Sequence, residues 1–268
     1  LKTAVGFGNL TFAISGAAPI NPEILDLFQK LDIPLFEGYG MTENTAAATL
    51  NYTNHNKIGS VGPPIDETEI KISENGEVLI KGNHVMRGYY KNDEATKETI
   101  IDNWLHTGDV GKIDSDGYLY ITGRIKEIYV SSGGKNIAPL VIEETMKSIP
   151  LVSQCFLIGD KRKYCSALLT LDVGAILRDK LMVETLKIPK NPLEQIKMLE
   201  AMGKELADYT NNESVRKEIE ERVEKLNQKF SNPEQIKKFF ILPRDFSIDF
   251  GELTPTLKIR RKQISENW

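Results

Sequence analysis

The strongest chemical signal lies between Trp104 and Asn136, a stretch reading WLHTGDVGKIDSDGYLYITGRIKEIYVSSGGKNI. Asp109 sits there in a Gly-flanked turn, Thr107-Gly108-Asp109, and Arg124 closes a strand that ends Gly123-Arg124. An ionised carboxylate only accepts hydrogen bonds, through two oxygens, so Asp109 could receive both hydroxyls of a ribose while Arg124 helps from the other side. An aspartate in a turn also commonly bonds local backbone, and the triplet alone does not choose between these roles. Upstream, Leu35-Phe36 reads as a strand running into Glu37-Gly38-Tyr39-Gly40-Met41-Thr42-Glu43. Open α/β sheets bind ligands beyond the carboxyl ends of their strands. In that place Tyr39 would offer a ring face for adenine, Thr42 a hydroxyl for phosphate and Glu43 a hard oxygen for Mg²⁺. Core packing for Tyr39 and helix N-capping for Thr42 and Glu43 stand beside that reading. Gly16-Ala17-Ala18 lacks side-chain bulk, which suits either a close ligand approach or a tight strand-to-helix turn.

These residues need elements to hold them. Phe12–Ser15 reads as a short strand, and Asn21-Pro22 caps a helix whose expected apolar face is Ile24, Leu27, Phe28 and Leu31. With the strand at Leu35 this makes an α/β unit. From Gly59 to Gly88 the pattern changes to short alternating strands, with hairpin signals at Asn75-Gly76 and again at Asp116-Gly117, predicting a small β-rich scaffolding lobe. After Arg124 a second domain is expected: a helix from Pro139, strands over Val152–Ile158 and Ala167–Leu171, and a last strand over Lys237–Leu242. Between them Leu193, Ile196, Leu199, Met202, Leu206 and Tyr209 form one apolar stripe, and Val215, Ile219, Val223, Leu226 and Phe230 another. Each stripe is under three heptads, which favours an antiparallel helical hairpin over a coiled-coil partner site.

Several motifs in order then resemble one family. WLHTGD, ITGR and IKEIYVSSGGKNI, preceded by GYGMTE and by Gly16-Ala17-Ala18, are similar to the adenylate-forming superfamily of acyl-CoA synthetases, luciferases and peptide-synthetase adenylation domains. The resemblance implies that Asp109 and Arg124 hold the ATP ribose, that Gly16, Ala17, Ala18 and Tyr39 line the adenine, and that Thr42 and Glu43 serve phosphate and Mg²⁺. Lys126 would be the hinge between a large N-terminal and a small C-terminal domain, and Ser132, Gly133 and Gly134 the passage for the pantetheine arm of CoA. Near the end, Thr254-Pro255-Thr256-Leu257-Lys258-Ile259-Arg260-Arg261-Lys262 could be only a solvated basic helix face. It resembles the family's closing motif, whose lysine bridges the substrate carboxylate and the ATP α-phosphate; Lys258 would be that residue. Many relatives have Gly before this lysine, whereas Leu257 stands here, a form that matches the long-chain branch. The helical stretch from about 172 to 231 resembles the long-chain and especially the bubblegum-type fatty acyl-CoA synthetases. Gly88-Tyr89-Tyr90-Lys91 resembles the family's MxGYYK segment and is read as structural. The implied fold class is α/β and α+β: residues 1–124 as the remainder of the large AMP-binding domain, 125–268 as a small mobile domain with a helical-hairpin insertion.

Composition sets the outer limits. The 268 residues are 40% apolar and 27% charged with a net charge of −4, which gives no support to a nucleic-acid module, for which a basic stripe would be expected. No run of eighteen apolar residues appears, so the expected location is cytoplasmic, with peripheral membrane contact through the lipid substrate left open. Cys155 and Cys165 sit in apolar runs without CxxC spacing and read as reduced, buried thiols. His55, His84 and His106 are scattered and form no metal-ligand set.

The expectation is therefore an ATP-dependent long-chain fatty acid–CoA ligase using ATP, Mg²⁺ and CoA. The family's phosphate loop, a Ser/Thr/Gly-rich segment ending in Lys-Gly, is not found in the sequence, so the chain is expected to be the C-terminal part of a longer enzyme and inactive by itself. An adenylating enzyme that loads a carrier protein is the nearest rival, and a non-catalytic adenylate-binding module is the reading from another class. Chain-length preference and oligomeric state are undetermined by the sequence.

Overall fold

The structure, a computed structural model, describes residues 2–268. The chain divides into two compact units, one ending at Ile128 and one running from Tyr129 to Trp268. In the first unit β1 (Ala13–Ser15) leads through α1 (Pro22–Lys30) into β2 (Leu35–Tyr39), and the two strands pair in parallel with Ser15 beside Glu37. Asn21 starts α1 as expected: its side chain accepts from the Glu23 amide at 2.8 Å, and Pro22 follows where no amide is needed. The buried face differs from expectation. Leu25 is the buried residue of α1, while Ile24 and Leu27 are 43% and 52% exposed, because the helix meets β2 on the Leu25 side of its apolar stripe. A short β3 (Thr49–Leu50) pairs antiparallel with β2.

The β-rich lobe orders its strands β4 (Glu69–Ile72), β5 (Glu77–Lys81), β7 (Trp104–Ile113) and β6 (Ile100–Ile101), with β8 (Leu119–Arg124) on the other part of β7. Helix α2 (Asp93–Thr99) precedes β6. Both hairpins form where Asn75-Gly76 and Asp116-Gly117 placed them, and Val78, Ile80, Leu105 and Leu119 make the core. One expectation is corrected here. Thr107-Gly108-Asp109 is not a turn but the interior of β7, kinked where Gly108 takes a φ of +72° and the pairing with β5 shifts register. The kink is a β-bulge held by side chains: the Gly108 amide donates to Glu77 Oε1 at 2.8 Å and the Thr107 hydroxyl to the Val78 carbonyl at 2.7 Å.

The second unit opens with a hairpin of β9 (Tyr129–Val130) and β10 (Asn136–Ile137), then α3 (Pro139–Met146). Its sheet has β12 (Cys165–Leu171) in the middle, antiparallel to β11 (Val152–Ile158) and parallel to β13 (Ile236–Ile241). Both cysteines are buried in these strands as free thiols, and burial pushes the Cys165 thiol up to about 11. Helices fill the stretch between β12 and β13: α4 (Val173–Ala175) with its wider-wound continuation to Lys180, α5 (Pro192–Ala201), α6 (Ala207–Thr210) and α7 (Glu213–Asn227). The stripe from Leu193 to Tyr209 does not lie on one helix. It breaks at Met202-Gly203, where Gly203 adopts a φ of +70° that ends α5, and Leu193 is 68% exposed. Val215, Ile219 and Val223 of α7 are buried as expected, with Leu226 and Phe230 packed beside them. The chain ends in α8 (Arg261–Asn267).

Candidate functional site

Asp109 is the centre of the first unit's site. It is 6% exposed, and both its oxygens already have partners: the Tyr39 hydroxyl donates to Oδ2 at 2.6 Å and Arg124 Nε to Oδ1 at 2.9 Å. Pairing of Asp109 with Arg124 across β7 and β8 puts the two side chains on facing positions, so the sheet register itself builds the pair. Each carboxylate oxygen has two lone-pair sites, so one acceptor direction per oxygen is left for a diol. Tyr39 also makes a contact that its sequence context does not indicate. Its hydroxyl is committed to Asp109, and burial, then the neighbouring Asp109 charge, push its phenol well above the ordinary range, so it stays a neutral donor. The ring remains half-buried beside the carboxyl end of β2.

Gly16, Ala17 and Ala18 form an exposed loop after β1, with Ala17 in the left-handed region at φ +67°. A Cβ on Gly16 would lie 3.2 Å from the Gly38 carbonyl oxygen, so this loop crosses tightly over β2 just before Tyr39. Glu37 lies under the same crossing, 5% exposed, with Oε1 taking the Ile20 amide at 3.1 Å. Burial raises its carboxyl pKa above the ordinary value, against the opposing pull of that amide. No sequence signal marks Glu37 beyond its place two residues before Tyr39.

Thr42 and Glu43 begin a one-turn 3₁₀ helix, Thr42–Asn44, whose capping comes from Asn44 Oδ1 accepting the Met41 amide at 2.6 Å. The alternative reading, N-capping by Thr42, is therefore not what holds this turn, and Thr42 is exposed. Glu43 is half-buried and gripped from outside the motif: the Tyr89 hydroxyl donates to Oε1 at 2.9 Å, and the Met86 amide donates to the Glu43 carbonyl at 2.7 Å. Thr45 Oγ1 adds a bond to the His84 carbonyl at 2.8 Å. Residues 84–89 thus cradle the turn, and Tyr89, part of the 88–92 run read from sequence as structural, joins the candidate site. Nothing in its sequence context marks it, because the partner lies 46 positions away. These donors fit Mg²⁺ in one specific way. Glu43 offers a partly exposed hard carboxylate whose rotamer is fixed by Tyr89, next to an exposed hydroxyl, and among the described residues no cluster of three His, Cys, Asp or Glu side chains forms a protein cage. Mg²⁺ suits such a site, where one carboxylate is completed by substrate phosphates and water.

Lys126 is exposed in the 3₁₀ turn Ile125–Glu127 that ends the first unit. In the second unit Ser132, Gly133 and Gly134 form the exposed tip between β9 and β10, closed by the Ser131 amide on the Lys135 carbonyl at 2.9 Å and tied by the Ser132 amide to the Arg162 carbonyl at 3.0 Å. Lys258 projects from a separate exposed loop with no side-chain partner among the described residues. The Thr254 amide donates to the Lys258 carbonyl at 2.8 Å and the Lys258 amide to Thr254 Oγ1 at 3.0 Å, which pinches the loop at its base. The structure therefore gathers Gly16–Ala18, Tyr39, Asp109 and Arg124 around β2 and the β7–β8 pair, sets Thr42 and Glu43 in the adjoining turn, and carries Lys258 and Ser132–Gly134 on the other unit.

Two family models match the chain: AMP-binding enzyme over residues 2–90, and AMP-binding enzyme C-terminal domain over residues 126–188. Long-chain-fatty-acid–CoA ligase FadD15 of Mycobacterium tuberculosis is 37% identical over 268 residues, covering 100% of this chain and 42% of that protein. Long-chain-fatty-acid–CoA ligase ACSBG2 of Homo sapiens is 34% identical over 281 residues, covering 100% of this chain and 41% of that protein. The chain thus spans less than half the length of the curated relatives it matches. Among solved structures, O-succinylbenzoate coenzyme A synthetase (MenE) from Bacillus subtilis in complex with AMP superposes with a TM-score of 0.65 at 24% identity over 94% of this chain and 45% of that one. Anthranilate CoA ligase AuaEII in complex with anthranoyl-AMP gives 0.70 at 19% identity, over 97% and 45%. At these identities the solved structures speak for the fold alone.

Proposed function

Because the chain belongs to the AMP-binding enzyme family, we propose that it is the C-terminal part of a long-chain fatty acid–CoA ligase that works through an acyl adenylate. The observation that carries this reading is the buried Asp109 carboxylate, fixed between Tyr39 and Arg124 with acceptor capacity to spare for a ribose diol. The names of the curated relatives supply the substrate class. In the first step a carboxylate oxygen of the fatty acid attacks the α-phosphorus of ATP, the bond to the bridging oxygen breaks, and pyrophosphate leaves. Asp109 and Arg124 hold the sugar, Tyr39 and the Gly16–Ala18 loop bound the base, and the Thr42 hydroxyl donates to phosphate oxygen. Lys258 places its ammonium charge on the α-phosphate and the attacking carboxylate, where charge spreads in the transition state. Glu43 would hold Mg²⁺, which would supply positive charge to offset the charge developing on the transferred phosphoryl group. In the second step the CoA thiol loses its proton to solvent and attacks the acyl carbonyl, the acyl–phosphate bond breaks, and AMP leaves. Lys126 is the pivot that withdraws Lys258 and brings Ser132–Gly134 to the adenylate, a gating motion that orders the two steps.

The test is made on the longest natural polypeptide that carries this sequence. Fatty-acid-dependent ATP–pyrophosphate exchange and CoA-dependent thioester formation are expected, with Lys258→Ala lowering exchange by roughly a hundredfold or more. The 268-residue chain itself is expected to give no exchange. Exchange at the wild-type rate in the Lys258 variant would overturn the reading.

A further inference from the structure

Lys258 stands three positions before Arg261, which belongs to a buried ion pair that the reaction does not use. Arg261 is bidentate to Glu143 of α3: one guanidinium nitrogen lies 2.9 Å from Oε1 and the other binds Oε2, with side-chain exposures of 17% and 3%. The same carboxylate accepts the Leu157 amide at 2.7 Å, so it is anchored to β11 as well. Arg261 also donates to the Tyr129 hydroxyl at 3.3 Å, and that hydroxyl in turn donates to the Leu157 carbonyl at 2.8 Å. Tyr129 is the first residue of its unit and stands three positions after Lys126. The guanidinium packs between the rings of Tyr129 and Phe156, 5.9 and 5.5 Å from their centroids.

The terminal segment has anchors besides this pair. Ile264 of α8 is fully buried with Phe156, Leu242, Phe246 and Leu253, and Arg244 grips Glu252 at the other end of the loop by two bonds of 2.6 and 2.9 Å. A buried ion pair commonly gives less stability than apolar groups of equal volume, whereas its forked geometry fixes direction. We propose that Arg261 is a positioning residue: locked to Glu143 and Tyr129, it fixes the direction in which Lys258 leaves its loop, so that the lysine and the residue that opens its unit turn as one body. This rests on the role given to Lys258 above.

The experiment uses the longest natural polypeptide and two variants. Glu143→Leu with Arg261→Met replaces the pair by apolar groups without leaving a lone buried charge. Arg261→Lys keeps the charge and loses the fork. ATP–pyrophosphate exchange reports adenylate formation, and transfer to CoA from supplied acyl adenylate reports the second step alone. A misplacement of about 1 Å costs on the order of a hundredfold in rate, so the double variant is expected to lose about that much kcat in exchange at unchanged ATP KM. Its transfer rate is expected to stay within about twofold of wild type, a split that general destabilisation would not give, and Arg261→Lys to fall between. Equal loss in both steps, or exchange untouched by either variant while Lys258→Ala abolishes it, overturns the proposal alone. Exchange untouched even by Lys258→Ala overturns the reading it rests on. Should the double variant fail to fold, Arg261→Lys decides by the same ratio of the two rates.

Discussion

At the scale of single residues, the site is built by side chains that hold other side chains. Asp109 and Arg124 were legible from residue type and order, yet the way Asp109 is held was not. The sequence pattern TGD suggests a turn, whereas the Glu77 carboxylate, 31 positions before Gly108, turns the triplet into a kinked strand. Long-range bonds of this kind leave no local signature, and Tyr89 on Glu43 is the second case. A hydrogen bond to a charged group contributes about 1.5–3 kcal/mol, and the Tyr89 hydroxyl spends its bond on fixing one carboxylate rotamer. Tyr89→Phe is therefore expected to raise the Mg²⁺ concentration needed for half-maximal ATP–pyrophosphate exchange by roughly tenfold, leaving the fatty-acid KM in place. Titration of Mn²⁺ by electron paramagnetic resonance in the presence of ATP checks the same shift without turnover. An unchanged metal requirement would remove Tyr89 from the site.

At the scale of elements, the segment that carries Lys258 is fastened by the Glu252 carboxylate, whose charge strengthens the grip. Glu252 has a fully buried side chain; burial alone would raise its pKa, but Arg244, Asn267, Trp268 and the Ser247 amide outweigh that and bring it down to about 2 from 4.5. A folded-state value below the unfolded one means stability that is fully present above about pH 4.5 and is lost as pH falls through about 2. The difference corresponds to about 3 kcal/mol. Urea unfolding followed from pH 7 to pH 2 is expected to show the wild type approaching Glu252→Gln as the carboxylate protonates, the gap closing between pH 4.5 and 2. A gap that stays constant with pH would mean the carboxylate contributes by shape alone. Strands β11 and β12 and helix α3 of this unit were legible from apolar runs and the Pro139 start, because burial writes itself into composition, whereas β13 exposes Lys237, Lys238 and Phe240. Helix α5 was misjudged at its end, since an apolar residue at Met202 continues the helical period while Gly203 beside it ends the helix.

At the scale of the molecule, each unit has a core of its own. Val78, Ile80, Leu105 and Leu119 pack together in the first unit, and Leu151, Leu157, Leu169 and Ile219 belong to the large cluster of the second. The change from strand–helix alternation to hairpins marks a lobe inside the first unit, whereas the joint near Lys126 came from the family resemblance and lies close to the observed division after Ile128. Separate cores imply separate cooperativity, because a unit unfolds when its own buried surface is exposed. Calorimetry of the 268-residue chain is expected to resolve two transitions. Leu157→Ala and Ile80→Ala each empty a fully buried position and should cost about 2–5 kcal/mol. For units of this size that lowers a midpoint by roughly 10 °C, and each substitution should move one transition and leave the other in place. A single transition shifted by both substitutions would mean that the units share one folding equilibrium.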